Sequence, residues 1–519
     1  MTLAQIQLTS IDYIAIGLYA VTVILLGVRF RSGHKSTEDY LLAGRSMGWF
    51  VVAVSQLASL LSAITYLGTP SEAYKNGTQY LCYMIVGYLS LPIAIFLFLN
   101  FFYRLGIVSS FQYLRIRFNE ATQRLASVFF IMLRVAWMAT IVNATSIAVN
   151  KLTGLGVVQC IIVTAVLSTA YTFLGGMRAI IWTDVLQFFL FAGGLIGAIV
   201  VLGLTESPRQ LYEIAVEHQK FSWPDVTFDP TVRVSLWAVV FAAPITGLAL
   251  VTDQVGMQRY LSAKSLREAQ KALWSKPLLT IPLPIMLFAI GLGLFGHYQL
   301  HPELASFESS DEVFPYFILT ELPAGLSGVI IAAVFAAAMS SIDSGIHTLS
   351  TVSIEDFYKG LRPEASDATC LALSRWLILF WGAVTVGVGL AVRHLGTIIE
   401  MMGQLTMPFF GCMVGLFLLG TATRRATSLG ALVGGVCGLV TVMWVVFFVR
   451  RFEGEWYLFS KMNELDAQKV SFTWYPAISF VGTFVVGYLV SRLSPPPNPE
   501  RLHGLTIWTP ANKKGTTRA

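Results

Sequence analysis

Apolar runs of about twenty residues, each closed by a charge or by a turn cluster, recur along the whole chain. That is the length a helix needs to cross a hydrocarbon core of about 30 Å. The runs predict thirteen helices, over 10-30, 47-68, 78-102, 123-150, 155-174, 180-204, 234-257, 277-299, 323-351, 369-392, 397-421, 426-449 and 474-493. An odd number puts the termini on opposite sides. With the N-terminus outside, the inward segments carry 22 Lys or Arg and the outward ones 10, seven of these in the longer loops 205-233 and 450-473, where charge weighs less on topology. The expected orientation is therefore N-terminus out and C-terminus cytoplasmic, in a plasma or bacterial inner membrane. Arg124, Arg134 and Arg375 fall within spans.

Composition agrees with this pattern. A chain of 519 residues that is 55% hydrophobic and 12% charged, with mean hydropathy +0.67, cannot cover its apolar side chains in water. The fold class is all-α and polytopic, with lipid as solvent. The net charge of +6 sits in short loops rather than in a phosphate-binding patch, so nucleic acid is set aside. Five cysteines show no CxxC pair or metal-cage spacing and read as inert buried thiols. No basic segment precedes the first apolar run, which is expected to stay as an anchor. Met and aromatic residues read as packing or lipid-facing, with no cofactor assigned. Asn76-Gly77-Thr78 fits a glycosylation pattern and is read as chance. No obligatory protein partner is implied, and the tail after Arg492, with Pro495, Pro496 and Pro497 and then a basic end, reads as disordered.

Charged residues at membrane depth cost about 2.5 to 3.5 kcal/mol each on insertion scales, so each marks a cavity or a partner. Five acids qualify: Asp12, Asp184, Asp253, Asp343 and Glu400. Asp12 stands at a helix mouth and reads as interfacial. Asp184, near the start of its predicted helix, has an N-cap as its plain reading. Asp343 lies mid-span in Ala337-Ala338-Met339-Ser340-Ser341-Ile342-Asp343-Ser344-Gly345, where close helix packing accounts for the alanines and serines but not for the carboxylate. His347 shares its helix face, as one half of a proton relay or as a satisfied core histidine.

Two spans carry helix-breaking signals. Span two, Ser55 to Pro70, is dense with hydroxyls and holds the amide of Gln56; span seven has Pro244 and Gly247 in its middle and Asp253-Gln254 beyond. Unwound backbone in a membrane is tolerated where it lines a cavity, and its freed carbonyls can ligate a small hard cation. The two interrupted spans fall in corresponding places of two five-helix units, spans two to six and seven to eleven, in inverted topology. This supports an ion-coupled transporter without naming its solute.

Several segments together resemble the sodium:solute symporter family over roughly residues 10 to 450. They are Asp39-Tyr40-Leu41-Leu42-Ala43-Gly44-Arg45, the stretch Gly175 to Gln187, Thr252-Asp253-Gln254 with Gln258-Arg259-Tyr260-Leu261, and Ala336 to Ser344. Asp253 followed by Gln258 to Lys264 is similar to the iodide, monocarboxylate and multivitamin branch. The resemblance implies a LeuT-type 5+5 inverted repeat with one extra N-terminal and two extra C-terminal helices. The chain then divides into an N-terminal helix and loop (1-46), first repeat (47-204), extracellular loop (205-233), second repeat (234-421), accessory helices (422-493) and cytoplasmic tail (494-519).

By position the resemblance implies a sodium site from the carbonyls of Ala58, Leu61 and Ala337 with the hydroxyls of Ser340 and Ser341. It also implies a possible second sodium at Asp184, Asp343 and Ser344, with a carboxylate where the family often has a serine. A substrate would meet Gln56, Thr65, Tyr66, Asn76, Gln79, Asp253, Glu400 and Gln404. The lysine of the sugar carriers has no counterpart from Pro277 to Phe295, which argues against a sugar. The expected function is sodium-coupled symport of a small organic solute or monovalent anion by alternating access. The rivals are a proton-coupled carrier on the same fold, or a sodium-gated channel or sensor; no enzyme motif appears. Asp253 and Glu400 would repel an anion unless something neutralises them.

Overall fold

The structure, a computed structural model, describes residues 8-31, 36-154, 156-305, 307-391, 398-452, 455-457 and 468-509. Among the described residues nine helices are long and apolar enough to cross a membrane, or eleven crossings if each of two bent helix pairs is one. In chain order the helices that frame the site are α1 (Ser10–Arg29), α2 (Trp49–Leu60), α3 (Thr69–Asn76), α4 (Gln79–Leu89), α5 (Asn100–Arg104), α6 (Glu120–Thr153), α7 (Val157–Thr205) and α8 (Leu236–Thr252). They continue as α9 (Gln254–Leu261), α10 (Leu266–Thr280), α11 (Pro282–Leu300), α12 (Leu326–Val352), α13 (Asp367–Ala391), α14 (Ile398–Ala422), α15 (Ser428–Phe448) and α16 (Tyr475–Leu493). A small antiparallel sheet, β1 (Arg450–Phe452), β2 (Glu455–Tyr457) and β3 (Gln468–Lys469), lies in the expected outer loop in the order β2-β1-β3, and Arg451 ties it to Asp229.

The polar distribution is inverted relative to a water-soluble protein. Leu18, Phe189, Leu278, Phe380 and Leu489 are exposed, whereas Asp12, Arg134, Asp184, Asp253, Arg259, Lys276, Asp343 and His347 are buried. Lipid makes the first set cheap to expose, and only protein partners can stabilise the second. The central element is α12, buried on all sides from Ala336 to Val352, as expected of a helix whose small residues let its neighbours approach closely.

The spans predicted over 155-174 and 180-204 run together as the 49 residues of α7, which would reach about 74 Å if straight. Gly176 breaks the run with φ 56° and ψ −156°. A Cβ there would lie 2.6 Å from the Tyr40 ring and 2.9 Å from the Tyr40 carbonyl, so both backbone and packing demand glycine. Asp184 stands eight residues beyond this break, inside the helix, and the N-cap reading of it is corrected.

Three further expectations change. Pro244 was expected to break span seven, yet it lies inside continuous α8, and the bend comes at Asp253. A break needs a group to receive the freed backbone, and Asp253 supplies one by accepting from the Val255 amide at 3.0 Å. Asp12 is more than interfacial: it closes a capping box with Thr9 and also accepts from the amides of Gly325 (2.8 Å) and Gly328 (2.7 Å), clamping α1 to the start of α12. The tail read as disordered is ordered to residue 509. Leu505 accepts from the Tyr113 hydroxyl at 2.7 Å, the Ile507 amide donates to Thr421, and the Trp508 indole donates to Ala422. Buried Leu502 and Leu505 anchor it, while its basic end, 510-519, lies outside the described residues.

Candidate functional site

α2 ends at Leu60, and the chain resumes after Leu61 at an angle of 63°, through the π turn Ile64–Gly68 into α3. The Ser62 amide turns to the Leu60 carbonyl, which releases the Ala58 carbonyl from its helical partner. Ser340 on α12 donates to that carbonyl at 3.0 Å and to the Ala337 carbonyl at 3.1 Å. Ser341 reaches Ser59 at 3.3 Å instead of the expected carbonyls. Leu61 sits at the break itself, and the hydroxyl of Ser62 and the amide of Gln56 are buried with no hydrogen-bond partner. A hydroxyl that donates to a carbonyl keeps lone pairs to offer, and when it rotates both oxygens can face one cation. The break is thus lined by oxygens and carries no formal charge.

One turn further along α12 the chemistry is ionic. Asp184 accepts from Ser55 at 2.5 Å and pairs with Arg259 at 2.8 Å, both side chains fully buried. Arg259 also donates to Ser55 at 2.8 Å and to Ser344 at 2.5 Å. Asp343 accepts from Tyr171 and from Ser344, the latter at 2.9 Å. Arg259 pairs with Asp184 and meets Asp343 through Ser344, so one guanidinium serves two buried acids. His347 is held by the Tyr40 carbonyl (3.2 Å) and the Gln258 amide (3.4 Å), which favours the satisfied histidine over the relay.

The second bend, 51° between α8 and α9, is sealed by charge. Asp253 caps α9 and is paired with Arg134 of α6. Glu400 is paired too, through Arg233 at 3.0 Å, and Arg233 also grips Glu72 of α3 at 2.5 and 2.8 Å. Burial works against the charge of Arg233, yet Glu72 and Glu400 outweigh it and hold its pKa above the ordinary value. Beneath this latch a cavity of about 90 Å³ opens beside the α2/α3 break, where Thr65, Thr69, Tyr83, Tyr88, Trp137 and Met402 are among its walls.

The sequence profile of the sodium:solute symporter family matches residues 40–438. The chain belongs to the sodium:solute symporter family. It is 32% identical over 447 residues to the sodium-dependent multivitamin transporter of Oryctolagus cuniculus, covering 84% of this chain and 70% of that one. To the sodium/sialic acid symporter SiaT of Proteus mirabilis it is 30% identical over 444 residues, covering 83% and 89%. A solved substrate-bound, outward-open Na+-coupled sialic acid symporter superposes with TM-score 0.82 at 26% identity, over 94% of this chain and 99% of that one. This family member is a multi-pass, sodium-coupled solute symporter and not an enzyme, with sodium as its coupling ion.

Against the sequence expectations, Ala58, Ala337 and Ser340 meet; Ser341 lies beside them. Asp184, Asp343 and Ser344 share one network, which Arg259 joins. Of the expected substrate residues Thr65 lines the cavity, and Gln404 is half-buried in α14. Tyr66 turns to Phe191 and Phe314 (ring centroids 4.7 and 5.5 Å), Gln79 is tied to the Trp223 carbonyl at 3.2 Å, and Asn76 lies with Glu400 at the Arg233 latch. Gln56 is buried among α2 and α9. The partners Arg134, Arg233, Glu72 and Arg259 and the aromatic walls were missed. Mid-span Arg134 carried a signal; Arg259, placed in the cytoplasmic loop 258-276, did not.

Proposed function

We propose that the coupling sodium binds at the α2/α3 break, on the carbonyls of Ala58, Leu61 and Ala337 and the hydroxyls of Ser340 and Ser341. The observation that carries this is the Ser340 hydroxyl between the Ala58 and Ala337 carbonyls, on a buried break free of formal charge. Asp184, Asp343 and Ser344 form a second cation locus whose fixed charge is Arg259. Counting α7 as two crossings, α4 with α5 as one, α10 with α11 as one and each bent pair as one gives thirteen, with spans two to six and seven to eleven as the inverted repeats. Arg117, Arg259 and Lys276 are buried in the fold and leave the topology count, which stands at 19 against 10 and still favours the N-terminus outside.

The solute is a small organic molecule with an apolar body, and a carboxylate is tolerated. The cavity is mainly apolar and aromatic, and the two acids that would repel an anion are neutralised by Arg134 and Arg233. Relatives named for sialic acid and monocarboxylates agree with the carboxylate. Sodium at the break holds α2 against α12; alternating access then releases it inward past Asp184.

The test is reconstitution in proteoliposomes with an inward sodium gradient, screening monocarboxylates, sialic acid, pantothenate, iodide, amino acids and sugars. Sodium-driven accumulation of a carboxylate is the expected result. Accumulation driven by a proton gradient alone would withdraw the sodium ligands named here.

A further inference from the structure

At the end of the molecule opposite the docked tail, the C-termini of two helices meet. Glu206 is the C-cap of α7, and His301 is the C-cap of α11, with His297 one turn before it. The Glu206 carboxylate oxygen lies 3.0 Å from His297 Nδ1 and 2.9 Å from His301 Nε2, and the three atoms fall within 4.8 Å of one another. Both helix ends carry the negative pole of their dipoles, so the point where they converge favours a cation.

The set has the chemistry of a transition-metal site. Two imidazole nitrogens and one carboxylate oxygen suit Zn2+, which binds such ligands at about 2.0 to 2.2 Å; tetrahedral ligands then stand roughly 3.3 Å apart. The Glu206 contacts would widen by a few tenths of an ångström, and the two imidazole nitrogens, within 4.8 Å of each other, would draw together. His301 is already oriented as a ligand, since Glu303 lies 3.5 Å from its Nδ1 and leaves Nε2 to the site. His297 is buried and packed edge-on against Tyr298 and Phe317, and His301 is 40% exposed, which supplies an entry path and an open fourth position.

We infer that Glu206, His297 and His301 form a binding site for a divalent transition metal of the zinc type, fastening the end of α7 to the end of α11. The site is separate from the sodium ligands and from the cavity.

The full-length protein, purified in detergent, is titrated with ZnCl2 against a competing chelator, and its thermal unfolding is followed with and without the metal. One saturable Zn2+ site per chain is expected, with a rise in unfolding temperature by mass action. His301→Ala, at a partly exposed position, should fold and transport as the wild type does without zinc. It should bind zinc at least about tenfold more weakly, the scale of losing even a supporting partner of a metal ligand, and should lose the thermal shift. Glu206→Gln should do the same. The inference is overturned if His301→Ala keeps wild-type zinc affinity, if no saturable binding occurs, or if Mg2+, which prefers oxygen ligands, gives an equal shift.

Discussion

The two bent helix pairs solve one problem in opposite ways. At the α2/α3 bend the freed backbone faces hydroxyls and carbonyls, and the Gln56 amide and Ser62 hydroxyl stay without partners. At the α8/α9 bend a carboxylate caps the new helix and an arginine neutralises the carboxylate. A break closed by a buried ion pair has little reason to open, since parting the charges leaves one uncompensated. A break closed by weak neutral contacts can exchange them for a cation and give the cation up again. The first bend is fit for a coupling ion; the second is a fixed joint.

The largest effect should come from the first bend. Replacing both Ser340 and Ser341 by alanine removes two oxygen ligands, each worth about 1.5 to 3 kcal/mol when it meets a charge. That predicts a loss of sodium affinity of more than about a hundredfold. Sodium-driven uptake should vanish while insertion and thermal stability stay near wild type. Sodium titrations of uptake check this, and a mutant with unchanged sodium dependence would remove the site from α12.

Next is the joint at the second bend. Arg134→Met or Asp253→Ala leaves a buried charge alone and should cost about 3 to 5 kcal/mol of stability. The double mutant Arg134→Met with Asp253→Asn keeps the cap and removes both charges, so it should recover most of the loss. Unfolding temperatures in detergent at one scan rate give the comparison. Single mutants as stable as the wild type would show that the pair fastens nothing.

A third contrast lies one turn along α12. Asp343→Asn removes the acid that meets Arg259 through Ser344, so the locus loses a group able to answer a further positive charge. If a second cation is carried there, each solute should move one charge fewer. About 2.3 kcal/mol per 100 mV would be lost from the driving force. Current measured against solute flux in the same liposomes decides this, and an unchanged ratio would make Asp343 structural.

The sequence exposed the first bend far better than the second. Hydroxyl-rich Ser55 to Pro70 and the Ser340-Ser341 pair announce themselves because polar side chains are rare in apolar spans. Pro244 misled because a proline lets a helix continue when its surroundings shield the freed carbonyl, whereas Asp253 had a partner 119 positions away. Arg259 looked like a loop charge because a buried guanidinium and a solvated one read alike at the end of a span. The cavity walls were illegible for a similar reason: Trp137 and Tyr83 cannot be told from lipid-facing aromatics until the helices are packed.

The smallest predicted effect tests whether the first bend is also the one that moves. Arg233 joins α3, the second half of that bend, to α14 through Glu72 and Glu400. The Arg233 side chain is 27% exposed and Glu400 33%, so water screens that arm, and about 1 kcal/mol is a fair scale for it. Glu72 is only 3% exposed, so removing Arg233 would leave a buried charge alone, whereas Glu400→Gln opens the screened arm and spares the buried one. Glu400→Gln should therefore change the KM for solute about fivefold or less and leave stability almost untouched. Higher salt should reduce its difference from wild type, because the exposed arm is already weakened by screening. If Glu400→Gln instead destabilises the protein as strongly as the loss of Arg134, the two bends are equally fixed, and the distinction between a working break and a joint fails.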